Sequence, residues 1–126
     1  MVTQAQTSFR GILESLRNKI PGIQAVIIAG PDAVLDSIPE NPALDIEAVA
    51  SEYATLLRIA ERTSEDTGGG NLVEHIVVSE QSVVIARSIS RHHFLVLLLA
   101  AHDQIGRARY ELKQAAFQFQ KQSLTA

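Results

Sequence analysis

The side chains with the best claim to chemistry are four histidines and a run of acids in a chain of 126 residues. His92 and His93 are consecutive, and on a strand consecutive side chains point to opposite faces, so they cannot share one ion; no third ligand lies near them. Glu74 and His75 have the same geometry. His102 is followed by Asp103, and a carboxylate can orient an imidazole as a base. The chain has no cysteine and no serine in a GxSxG setting for such a base to activate, and helix capping accounts for Asp103. Asp32, Asp36, Glu40, Asp45, Glu47 and Glu52 precede the next base, Arg58, without the spacing of a calcium loop. They suit a solvated hairpin edge and a helix N-terminus, with an electrostatic docking face as the alternative. Gly68-Gly69-Gly70 is neither GxxxxGK[ST] nor a GxGxxG that opens a helix, so no nucleotide loop is signalled. The expectation is no catalytic set, no cofactor, no metal and no enzyme.

Composition narrows the partners. Hydrophobic content of 46% and charged content of 20% describe a folded domain, and the length suits one domain over residues 1–126. Five Lys/Arg against ten Asp/Glu in residues 1–70, and six against four thereafter, leave no basic face for nucleic acid. The opening residues lack the basic-then-apolar plan of a secretory signal. Phe94 to Ala101, the most apolar run, is too short to cross a bilayer. These features predict a cytoplasmic protein without direct membrane insertion.

The elements that would position these residues follow from periodicity. Thr3 to Gln6 reads as a capping box, and Phe9, Ile12, Leu13, Leu16 and Ile20 form a helical stripe that Pro21 ends near Lys19. Ile23 to Ala29 and Val34 to Ile38 are two strands about the turn Gly30-Pro31-Asp32-Ala33, in which Asp32 can bond the backbone; Pro39 and Pro42 begin a loop. Asp45 caps a second helix whose inward stripe is Ile46, Val49, Ala50, Tyr53, Leu57 and Ala60, with Leu44 and Val49 as a hydrophobic staple. Ser64 to Gly70 reads as a loop. Leu72 to Ser79, Ser82 to Ile89 and Phe94 to Ala101 form an antiparallel meander, and Asp103 caps a third helix with the stripe Ile105, Ala108, Leu112, Ala115 and Phe119. The first and last strands are apolar without alternation and need cover on both faces, so they belong side by side at the centre. This gives the order 2-1-5-4-3, with the second helix on one face and the other two on the opposite face.

Two surfaces remain unexplained by folding alone. The outer side of the second helix carries Ala48, Ser51, Thr55, Arg58, Ile59 and Arg62, smaller and less charged than a solvated face usually is. It is a contact face, or simply a set of residues a helix tolerates. The third strand, Leu72 to Val78, is an edge with few charges and no proline, the kind that recruits another strand.

The order of elements, together with Ile20-Pro21-Gly22-Ile23-Gln24-Ala25-Val26, resembles the Roadblock / dynein light chain family, and in particular its stand-alone prokaryotic regulators of Ras-like GTPases. The resemblance implies an α/β (α+β) fold: a five-stranded antiparallel sheet with helices on both faces. It also implies a homodimer joined through the third strand and second helix, with a small Ras-like GTPase bound across it. Such regulators reposition the GTPase's own residues, so no arginine finger is required. In the hairpin turn Ala33 follows Asp32, where the family usually has Gly. The expected GTPase-binding residues are Ala48, Ser51, Thr55, Arg58 and Arg62, and the expected dimer residues are Leu72, Val73, Glu74, His75, Ile76, Val77 and Val78. The alternative function is a dimeric scaffold that tethers other proteins without affecting nucleotide hydrolysis.

Overall fold

Residues Phe94 to Leu99 are all buried, none more than 5% exposed, and alternate between two apolar clusters on opposite faces of one sheet. The structure, a computed structural model, describes residues 4–31, 34–100 and 102–125. The elements are α1 (Gln4–Lys19), β1 (Ile23–Ala29), β2 (Val34–Pro39), α2 (Ile46–Asp66), β3 (Glu74–Val78), β4 (Val83–Ser90), β5 (His93–Leu99), a 3-10 turn (His102–Gln104) and α3 (Ile105–Thr125). The strand order is β2-β1-β5-β4-β3, every pair antiparallel. This is the expected order, and its reason is visible in the core. Leu95, Leu97 and Leu99 pack with Leu13, Leu16, Leu112 and Phe119 of α1 and α3, whereas Phe94, Val96 and Leu98 pack with Ala50 and Leu57 of α2.

The helices end where local chemistry ends them. Gly22 takes φ +79, a conformation open to glycine, so the chain can turn from α1 into β1. Arg107 Nε then donates to the Lys19 carbonyl at 2.7 Å and ties that end to α3. Asp45 caps α2, its carboxylate accepting from the Ala48 amide at 3.1 Å. Replacing such a cap by alanine costs about 1 kcal/mol. Asp45→Ala is therefore expected to lower the urea midpoint by that equivalent with an unchanged slope, and an unshifted midpoint would remove the cap from the stability argument.

Several boundaries differ from the sequence expectation. Ser64 to Asp66 are helical, because α2 runs on to a glycine stop: the Gly68 amide bonds Glu65 O at 3.2 Å and the Gly69 amide bonds Ser64 O at 2.7 Å, with Gly68 at φ +84. Pro39 closes β2 rather than opening the loop, a place open to proline on an edge strand. β3 is Glu74–Val78, so Leu72 and Val73 precede the strand and Ser79 follows it, although the Ser88 amide still bonds Val73 O at 3.0 Å. Asp103 lies inside the 3-10 turn that leads into α3 and is not the residue before the helix. β5 stops at Leu99, short of the expected end at Ala101, because the Ala100 amide turns to bond Gly22 O at 2.9 Å. The capping of α1 by Thr3, the backbone bond of Asp32, the place of Ala33 and the position of Ala101 fall outside the described residues.

Candidate protein interface

The two edges of the sheet are treated differently. β2 is guarded: Pro39 ends it, and Arg10 on α1 reaches across to donate to Asp36 Oδ1 at 2.8 Å and to Ser37 O at 2.9 Å. β3 has no such guard. Its one acid, Glu74, is turned onto the α3 side, where Arg87 Nη1 lies 2.8 Å from one carboxylate oxygen and Arg109 Nε 2.5 Å from the other. The charge that could repel a second strand is thus compensated within the fold. Ile76 packs into the α1/α3 cluster and Val77 into the α2 cluster, both half-buried, while Val73 and Val78 are 55% and 57% exposed. Leu72, Glu74 and His75 are also half-buried.

The outer side of α2 carries the expected GTPase-binding residues, all exposed: Ala48, Ser51, Thr55, Arg58 and Arg62. Three of them form a chain that belongs to the fold. Thr55 Oγ1 donates to Ser51 O at 3.2 Å, Arg58 Nη2 lies 3.4 Å from Thr55 Oγ1, and Arg58 Nη1 donates to Pro31 O at 2.6 Å. Arg58 therefore ties α2 to the β1–β2 turn and is not a free cation awaiting a partner. On either side of it lie two clefts of about 500 and 360 Å³; the first runs past Ala50 and Ser51 to Val34, the second past Glu61 and Arg62 to His92 and Phe94. Sequence reasoning placed Ile59 on the outer side of α2 but missed its exposed neighbour Leu56. Leu56 and Ile59, one turn apart and 43% and 58% exposed, lie away from these clefts and form an apolar step.

Three of the four histidines serve turns, while His75 lies within β3. His92, between β4 and β5, is in the left-handed region at φ +66, and its Nδ1 lies 3.3 Å from Glu61 Oε2 on α2. His93 Nδ1 is 3.0 Å from Arg91 O, and His102 Nε2 is 2.7 Å from Ser79 O at the β3–β4 turn. His92 and His93 thus hold different partners, and no cluster of three metal-ligating side chains occurs among the described residues.

No family model and no curated protein matches this sequence. Solved structures do. The gliding protein MglB of Thermus thermophilus shares 15% identity with a TM-score of 0.85, over 100% of this chain and 96% of that one. A Roadblock/LC7 domain of Streptomyces avermitilis shares 14% identity with a TM-score of 0.78, over 92% and 97%. MglC of Myxococcus xanthus is 32% identical over 90% of this chain and 98% of its own, with a TM-score of 0.65. The chain belongs to the Roadblock/LC7 family. As in any Roadblock/LC7 protein the architecture identifies a scaffold rather than a reaction, so function has to be argued from its surfaces. Among the described residues no helix of this Roadblock/LC7 chain is long and apolar enough to cross a membrane.

Proposed function

We propose that the chain is a non-enzymatic homodimer that binds a small Ras-like GTPase and acts on it by positioning, contributing no catalytic group. The observation that carries this reading is the unguarded β3 edge. Pairing it with its own copy about a two-fold axis satisfies the free backbone groups of both strands, removes both edges and closes the assembly as a ten-stranded sheet. The likeness to MglB, one structure of which is described as having a tetrameric arrangement, supports self-association on this fold. The apolar step of Leu56 and Ile59 suits the second copy. The opposite flank, where Ser51 opens onto the clefts beside Arg58, suits the switch region of a GTPase. Small side chains there let another backbone approach closely, and Arg62, which makes no ion pair among the described residues, can meet an acidic group. Exposed ion pairs are individually weak, so shape outweighs charge.

The test is a calorimetric titration with a small Ras-like GTPase from the same genome, starting with any encoded beside this chain, loaded with a GTP analogue, together with hydrolysis assays of the pair. The wild-type protein is expected to bind and to change the hydrolysis rate. Ala48→Arg and Ser51→Arg are expected to abolish binding while shifting stability by only about 0.5 kcal/mol or less. Binding with an unchanged rate would favour the scaffold reading, and absence of binding would end the GTPase reading.

A further inference from the structure

The tip between β3 and β4 is rigid and unmatched. The Ser79 amide bonds Ser82 O at 2.8 Å, closing a hairpin with Glu80 and Gln81 at its tip, and His102 braces it through Ser79 O at 2.7 Å. Glu80 is exposed and forms no hydrogen bond or ion pair among the described residues. At the other end of β3 a groove of about 240 Å³ lies between the approach to the strand and α3, lined by Asn71, Leu72, Val73, Lys113 and Phe117. Phe117 is 62% exposed there, and Lys113 also lacks a partner among the described residues.

Antiparallel pairing joins these two features. If β3 pairs with itself about its midpoint, Ile76, then Val78 of one copy lies beside Glu74 of the other, and residues 79–80 lie beside 73–72. Val78 shares a face with Ile76, which packs toward α3, so its exposed side chain is on the same side of the sheet as Phe117. We infer that the groove walled by α3 receives the β3–β4 hairpin tip of a second copy, with Phe117 covering the second copy's Val78 and Lys113 pairing with its Glu80. The contact is made twice by symmetry. It rests on the homodimer reading and adds to it a lock that fixes the register of the paired strands, since a slip would carry Glu80 away from Lys113 and move Val78 off Phe117.

Sedimentation equilibrium at low salt tests it on the full chain. Lys113→Glu and Glu80→Lys are each expected to raise the dimer dissociation constant about five- to tenfold, because each turns two attractive pairs into repulsive ones. Combining them restores opposite charges and is expected to return the constant to within about threefold of wild type. Phe117→Ser is expected to raise it about tenfold or more through lost apolar contact. A dimeric wild type whose single variants are unchanged, or whose charge swap shows no rescue, overturns the lock and leaves the homodimer standing. A monomeric wild type overturns the homodimer and the lock together.

Discussion

Truncating Leu97 to alanine is expected to cost about 2–5 kcal/mol, the range for removing a large buried side chain that the surroundings cannot close over. Leu97 is fully buried at the centre of the sheet, between Val26 of β1 and Ile85 of β4, with α1 and α3 packed over it. Both strands hold it by backbone ladders, so collapse into the space would have to bend the middle of the sheet. Against a typical total of about 5–15 kcal/mol this is a large share of stability. Urea unfolding at one fixed protein concentration measures it, since a dimer's apparent stability rises with concentration. A loss below about 1 kcal/mol would mean that the α1/α3 cluster is far more loosely packed than described.

The β3 edge carries the second large effect. Replacing Ile76 with lysine and Val77 with aspartate places a charge on each face of the strand, one toward α3 and one toward α2, at the proposed seam. The variant is expected to be monomeric by light scattering at micromolar concentration, where the wild type is expected to be dimeric. Both residues are only half-buried within one copy, so circular dichroism is expected to show the sheet retained. A variant that keeps the wild-type mass would move the junction away from β3.

What could be read from the sequence was what period and polarity encode. β1 and β5 announce their central place by lacking alternation, and Asp45 marks a helix start because its carboxylate acts within three residues. Structure that depends on distant residues was not legible. Nothing near Arg58 reveals that its guanidinium is held by Pro31, 27 positions earlier, and the neutralisation of Glu74 requires Arg109, 35 positions later. Leu56 went unnoticed because its exposure depends on how α2 is rotated against the sheet, which a stripe of apolar residues fixes only within a broad sector. The helical state of Ser64 to Asp66 was hidden for another reason. Ser64 and Asp66 have modest helix preference, and the stop signal belongs to the geometry of Gly68 rather than to the first polar residue met.

The adjacency of β1 and β5 also governs the order of events during synthesis. Ala29 pairs with Phe94 and Ile23 with Leu99, partners separated by 65 and 76 residues, whereas β3, β4 and β5 follow one another through short turns. At about 5–20 residues per second the first strand waits on the order of 3–15 s for its central neighbour to be made, its β5-facing edge open and its faces shielded only by α1 and α2. The meander and α3 can assemble locally as soon as they emerge, and the N-terminal hairpin then docks against a finished surface. The nascent chain is thus most exposed to chaperones, and to mispairing with other nascent copies, before its C-terminal third exists.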